Sequence, residues 1–252
     1  MTQDQLPRSS VDNQSALSPE GAVVTSAQAR DRQNRLRVAQ LPAQPAGHRG
    51  YAGLKRTFDI VVGSAALVLS LPAIALIAVL IRMQSPGPPI FRQQRVVQGG
   101  RTITFYKFRT MYVDAPQRFP QLYAYDTTVD RFAASYYKPA EDPRNTPLGG
   151  RIRKLTLDEL PNLFNVVRGE VSLVGPRPEL PEYLAYYTDE QLLKFTVPAG
   201  ITGLAQVSGR NELTVKAQID ADLDYVRRRS FWFDLHLIGR TVTAIVGRAG
   251  AQ

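Results

Sequence analysis

From Ile60 to Ile81 the chain runs for 22 residues without a charge, IVVGSAALVLSLPAIALIAVLI. About twenty such residues, coiled as a helix, match the hydrocarbon thickness of a bilayer. A helix buried inside a soluble domain is rarely so long and so uniformly apolar, and the expectation is insertion into a membrane. Lys55 and Arg56 precede the run, and Arg82, Arg92 and Arg95 follow it. Basic flanks on both sides pull both ends towards the cytoplasm. Pro72, near the middle, removes one backbone donor and clashes with the preceding turn, at a cost of about 3 kcal/mol in a regular helix. A break at Ser70 and Pro72, with the Ser70 hydroxyl available to a freed carbonyl, would turn the helix back as a re-entrant element. A kinked spanning helix would use the same residues, because proline is tolerated in lipid-embedded helices. These residues alone leave both geometries open.

The rest of the chain is of ordinary globular composition, with 44% hydrophobic residues in a total of 252, so one sizeable domain with appendages is expected. Residues 1–50 lack aromatic residues and are rich in Gln, Ser, Ala, Pro and Arg. They read as a disordered segment with a short helix near Ala27–Ala39. Residues 51–84 read as the membrane helix and residues 85–252 as the domain that follows it. Within that domain, Ser85-Pro-Gly-Pro-Pro89 is a rigid turn, and Ile90–Val97 with Arg101–Met111 form a β-hairpin around Gln98-Gly99-Gly100. Helices are predicted over 158–168, 182–195, 215–229 and 232–248. The last carries Leu235, Ile238, Val242, Ile245 and Val246 beside Arg240 and Arg248, after Phe231-Trp232-Phe233. That stripe suits a helix lying among lipid headgroups, and equally one packed on the protein's own core. Residues 112–147 hold Tyr112, Phe119, Tyr123, Tyr125, Phe132, Tyr136 and Tyr137, whose ordinary roles are packing or residence at a membrane interface.

The formal charge is +9. That suits an anionic partner: a nucleic acid, an acidic lipid surface or a phosphorylated substrate. There is no cysteine, and His48 and His236 are the two histidines. Disulfides and thiolate metal sites are excluded, and histidine-based triads are disfavoured.

The densest chemistry lies in Arg153-Lys-Leu-Thr-Leu-Asp158-Glu159-Leu-Pro161-Asn-Leu-Phe-Asn. Pro161 belongs in the first turn of a helix, which makes Asp158 a natural N-cap. The helix dipole would keep a carboxylate there ionised, and the free amides could receive a phosphate. An ionised, oriented carboxylate is a competent nucleophile towards phosphorus and a good magnesium ligand. Glu159 adds a second carboxylate for metal binding or proton transfer. Simple capping by Asp158 with a solvated Glu159 explains the same residues. Two glycine-bearing loops change the setting: Val174-Gly-Pro-Arg177-Pro178, and Pro198 to Asn211 with Gly200, Gly203, Gly209 and Arg210. Glycine lets backbone approach phosphate, and arginine offers a planar fork to its oxygens. Lys107, Arg109 and Arg153 add further charge.

In this order, Lys55-Arg56-Thr-Phe-Asp59, Ser85-Pro-Gly-Pro, Phe91-Arg-Gln-Gln-Arg95-Val, Lys107-Phe-Arg-Thr-Met111, Asp142-Pro-Arg144, Leu157-Asp-Glu-Leu-Pro161, Ser172-Leu-Val-Gly-Pro-Arg-Pro178 and Pro198 to Asn211 resemble the bacterial sugar transferase family, the monotopic phosphoglycosyl transferases. The resemblance covers roughly the last four fifths of the chain. Ser70 and Pro72 are separated by Leu71 where the family often has them adjacent, the strand end reads Arg95-Val-Val97 in place of Arg-Val-Gly, and Asn162 stands where Gln is common.

The resemblance implies an α+β, mainly helical fold. In it a re-entrant membrane helix, a small β-hairpin and interfacial amphipathic helices surround a cytoplasmic catalytic domain. It implies an undecaprenyl-phosphate glycosylphosphotransferase of the short, catalytic-core form at the cytoplasmic face of the bacterial inner membrane. Such an enzyme starts exopolysaccharide or capsule synthesis, using Mg2+, a UDP-sugar and undecaprenyl phosphate. By match of motif, Asp158 is the nucleophile that releases UMP and carries the sugar phosphate. Glu159 is its partner in metal binding or acid–base work, and Lys107, Arg153, Arg177 and Arg210 bind phosphate and nucleotide. The sequence does not read out the sugar; a hexose phosphate is the working expectation. No nucleic acid is expected as partner, and a homo-oligomer is compatible with the reading. The rival reading is a membrane-anchored basic scaffold of a polysaccharide assembly complex, for which Asp158, Glu159 and magnesium would be dispensable.

Overall fold

A computed structural model describes residues 16–17, 23–24, 26–41, 49–123, 142–209 and 213–250. The apolar run lies inside one 36-residue helix, Arg49–Gln84 (α2), whose helical course continues through Pro72. At 1.5 Å per residue its contour is about 54 Å, well beyond the ~30 Å core of a bilayer. A straight, upright crossing would therefore leave part of the helix outside the lipid. The Ser70 hydroxyl donates to the carbonyl of Leu67 at 3.0 Å, one position before the carbonyl that Pro72 leaves unbonded.

One face of α2 is covered on both sides of the proline. Phe58, Val62, Ala66 and Leu67 pack on the main core, while Ile74, Ile77, Ala78 and Ile81 pack around Phe108 and Ile152. The opposite face carries Val61, Val68, Leu69, Leu76, Val79 and Met83 in the open, Leu69 at 82% of its full exposure. Apolar surface costs about 25 cal/mol per Å² in water, so a row of this size marks contact with another apolar phase. Among the described residues α2 is the one helix long and apolar enough to cross a membrane.

Polar bonds fasten each end of the run to the domain. At the start, Lys55 Nζ meets the buried Asp234 carboxylate at 2.7 Å, Arg56 donates to the carbonyls of Val166 and Val167, and Asp59 accepts from the amide of Leu173 at 3.1 Å. At the far end the Arg109 guanidinium donates to the carbonyl and hydroxyl of Ser85 and to the carbonyl of Pro86.

The strands are few. Ala16–Leu17 (β1) pairs with Val23–Val24 (β2). Ile90–Val96 (β3) pairs antiparallel with Thr102–Phe108 (β4) from Ile90 opposite Phe108 to Val96 opposite Thr102. Ser172–Val174 (β5) lies parallel to Gly200–Thr202 (β6). Ile103 and Phe105 point into the main core with Leu163, Val166, Val174, Tyr225 and Leu237. The outer edge of β4 is closed by Asn165, whose amide bonds Tyr106 N and Thr104 O.

The short helices are Ser26–Gln40 (α1), Ala115–Arg118 (α3), Pro147–Lys154 (α4), Leu163–Arg168 (α5) and Leu204–Val207 (α6). Val215–Arg228 (α7) and Phe231–Gly250 (α8) complete the set. The short helix expected near Ala27–Ala39 is α1, and it is docked on the domain. It buries Val38 and sends Asn34 to the carbonyls of Leu184 and Tyr187. Its polar composition hid this docking, because much of the contact is polar: Arg35 also donates to the Thr102 hydroxyl, and Arg37 pairs with Asp189. The helix expected over 182–195 is instead two 3-10 turns, Pro181–Tyr186 and Gln191–Thr196. In α8 Leu237 is fully buried, while Trp232 is 78% exposed and Val242 and Ile245 lie open, so the helix has one face on the core and one apolar face outward.

Candidate active site

Lys107 takes the next inward position after Ile103 and Phe105 on β4, at the end where the core gives way to a cavity. A lysine in that register is buried by its neighbours and must find a carboxylate. It does so: Nζ lies 3.1 Å from Glu159 Oε1. Arg177 Nη1 approaches the same oxygen at 4.0 Å. Burial holds the Lys107 ammonium below the usual lysine value, and the charges of Arg177 and Arg95 push the same way, against Glu159 and Asp158.

The acidic pair is delivered by a sharp change of direction. Thr146 caps α4, its hydroxyl accepting from Gly149 N at 2.9 Å, and α4 ends at Lys154. Thr156 then takes φ 62°, ψ 16°, the left-handed region that a β-branched residue resists. Among the described residues it is the one non-glycine with positive φ, and such strain concentrates at functional sites. The 3-10 turn Leu157–Asn162 follows, bringing Asp158 and Glu159 against β4. The N-cap expected at Asp158 is not formed. Thr156 occupies that position without a side-chain cap, Asp158 sits within the turn, and Pro161 is followed by the separate helix α5. A six-residue 3-10 turn has little dipole, so the neighbouring cations set the electrostatics of the pair.

Arg177 stands on a stitched turn. Gly175 N donates to Thr202 O at 2.9 Å, Gly200 N to Pro176 O at 2.9 Å, and Glu179 exchanges both backbone bonds with Val96. A Cβ at Gly200 would come within 2.0 Å of Gly175 N, so the close approach of the two loops requires glycine there. Arg153 sits at the side, 3.2 Å from Asn145 Oδ1 and 3.6 Å from Asp142. Asp142 is gripped by Arg144 at 2.7 and 2.8 Å, which holds its carboxyl below the usual carboxylate range.

Lys107, Arg153, Asp158, Glu159 and Arg177 thus line one cavity of about 1520 Å³. Its lining also includes Pro88, Pro89, Ile90 and Phe91, which follow closely on the end of α2, together with Tyr112 and Tyr123. Arg210 lies outside the described residues, as do Tyr125, Phe132, Tyr136 and Tyr137. Ser70 and Pro72 are in α2 and take no part in the cavity. Two wall cations, Arg95 and Arg144, were named in the sequence motifs without a role in the site. Arg95 pairs across the hairpin with Ile103, as Phe91 does with Lys107, so Arg95 shares the Lys107 face. Counting by twos from Phe91 would have found it. Arg144 sits in the Asp-Pro-Arg motif and stacks over Tyr123.

The bacterial sugar transferase family model matches residues 50–248. The chain belongs to the bacterial sugar transferase family. It is 38% identical over 198 residues, 79% of its length, to a UDP-galactose-lipid carrier transferase of Erwinia amylovora, and 37% identical over 198 residues to an undecaprenyl-phosphate galactose phosphotransferase of Salmonella typhimurium. In each case it spans 41% of the relative. It is also 32% identical over 206 residues to the exopolysaccharide production protein ExoY of Rhizobium meliloti, covering 91% of that protein. Within this bacterial sugar transferase the matched region takes in α2, the hairpin, the acidic pair and the Arg177 turn, whereas α1 precedes it.

Proposed function

We propose that this chain transfers a sugar 1-phosphate from a UDP-sugar to undecaprenyl phosphate in two steps through Asp158. The observation that carries the reading is the placement of an acidic pair among Lys107, Arg177 and Arg153, in a cavity lined also by the Pro88–Phe91 segment that follows the apolar helix.

In the first step an Asp158 carboxylate oxygen attacks the phosphorus that bears the sugar. The bond from that phosphorus to the bridging oxygen breaks, and the electron pair leaves on UMP. In the second, a phosphate oxygen of the lipid attacks the same phosphorus, and the Asp158 carboxylate departs intact. Both attacks bring an anion towards an anion, so the barrier is largely electrostatic. Lys107 and Arg177, beside Glu159, offset that repulsion, and Arg153 adds a third cation to the cavity lining. The two carboxylates fit Mg2+, which is commonly held by one or two carboxylates together with substrate phosphates. Asp158 and Glu159 would hold it, and it would supply neutralisation of the diphosphate charge.

A polyprenyl tail keeps its phosphate at the lipid boundary, so the nucleophile has to work at that depth. The fastening of Lys55, Asp59 and Ser85 to one domain supports a re-entrant α2, both ends on the cytoplasmic face of the bacterial inner membrane. The outward face of α8 supports an interfacial position. The galactose named in two relatives supports a hexose as cargo.

Asp158→Asn is expected to abolish UMP release from UDP-sugars in the presence of undecaprenyl phosphate, with the protein still in the membrane fraction. Near-normal turnover in that variant would reject Asp158 as nucleophile, whereas no UMP release from the unaltered protein would favour a non-catalytic scaffold.

A further inference from the structure

Behind the Arg177 turn lies a buried cluster of charge that the transfer chemistry does not touch. Lys194 and Asp222 are each 2% exposed, and their charged atoms are 2.8 Å apart. Glu179 is the third member, with Oε2 3.6 Å from Lys194 Nζ and 2.6 Å from the Tyr187 hydroxyl, which donates to it. Lys194 also lies near the faces of the Tyr187 and Phe195 rings. Three charged groups without water are costly unless each is paired, so such a cluster adds little net stability over a well-packed apolar replacement.

The cluster does hold the backbone of Arg177. The other stitches of the turn are backbone bonds from β6, from Gly200 and from Val96, plus Arg95 Nη1 donating to Pro178 O at 3.2 Å. The amide of Arg177 itself donates to Asp222 Oδ1 at 3.4 Å, while Asp222 Oδ2 takes the Lys194 ammonium. One carboxylate thus joins a fixed cation to the residue whose guanidinium faces Glu159. With Pro176 and Pro178 on either side, Arg177 has little other freedom to be set by.

We propose that Lys194 and Asp222 form a positioning pair that aims Arg177 at the phosphate of the donor. This rests on the transfer reading, in which Arg177 offsets phosphate charge. Asp222→Ala removes the acceptor and leaves Lys194 with Glu179, a neutral pair. Asp222→Asn keeps the shape but offers one oxygen to two donors.

The test is a double-mutant cycle with Arg177→Ala, read as kcat/KM for UMP release from a UDP-sugar, with thermal unfolding of each purified variant alongside. Asp222→Ala is expected to lower kcat/KM about ten- to a hundredfold, the scale of an ångström-sized misplacement, with Asp222→Asn between it and the wild type. In the Arg177→Ala background neither substitution should lower it further. Losses that multiply in the double variants would overturn the proposal and assign the cluster to stability alone. Should Asp222→Ala fail to fold, the same cycle run with Asp222→Asn decides between the two outcomes. The Asp158→Asn control separates the two readings. If it is active, the transfer mechanism fails; if it is inactive while the cycle is additive, only the positioning role fails.

Discussion

At the scale of single residues, Lys107 links the charge of the candidate site to pH. Its burial and the nearby Arg95 and Arg177 hold its proton less tightly than in the unfolded chain, below the ordinary value of 10.5. Between the lowered value and 10.5 the unfolded chain binds more protons, so this group makes the fold more stable as pH rises across that interval. Activity is expected to run the other way. As Lys107 loses its charge the cation beside Glu159 disappears, and kcat/KM should fall on an alkaline limb below 10.5. Lys107→Arg should remove that limb from a pH–rate profile, since guanidinium does not titrate there; an unchanged limb would mean another group controls it. The structure gathers the acidic pair with Lys107, Arg153 and Arg177; the sequence named these cations through the family resemblance, and Arg177 alone of the three stands on a loop stiffened by glycine and proline. The nature of the turn was not legible, because Pro161 marks the beginning of an ordinary helix and the left-handed Thr156 has no local signature.

At the scale of elements, the base of α2 is tied to α7 and α8 through one carboxylate. Asp234 accepts from Lys55, from Tyr51 and from Tyr225, whose phenol burial pushes far above its usual value. Lys55→Met would leave that carboxylate buried without its cation. The expected loss is about 3 kcal/mol of unfolding free energy, the cost of breaking one partner of a buried pair. Chemical denaturation in detergent measures it, and a change within error would show that the tyrosines suffice. The hairpin, α7 and α8 follow apolar periods of two and 3.6 that the sequence displays openly. The paired 3-10 turns over 181–196 and the docking of α1 do not. They depend on partners such as Asn34 with Leu184, 150 positions apart, which no local pattern encodes.

At the scale of the whole molecule, membrane attachment was legible from one uninterrupted run, but the path of that run was not. Proline and flanking charge serve a kinked spanning helix and a re-entrant one alike. The polar ties at Lys55, Asp59 and Ser85 favour the latter, because one domain holds both ends. The chain has no cysteine, so single probes are clean. Gly50→Cys, where an added Cβ meets nothing within 4 Å, and Gln84→Cys, on the exposed end of α2, are expected to react with a membrane-impermeant maleimide only from the cytoplasmic side. Labelling of one from each side would show a spanning helix.

The central claim is that a carboxylate oxygen of Asp158 becomes bonded to the phosphorus of the sugar phosphate. Rapid quench of the purified protein with a UDP-sugar and no lipid acceptor, followed by mass analysis of the peptide containing Asp158, tests it most directly. The expected result is a hexose-phosphate adduct on that residue, absent in Asp158→Asn and lost when undecaprenyl phosphate is added. An unmodified peptide from a preparation that turns over normally with both substrates would contradict it and point to direct displacement by the lipid phosphate.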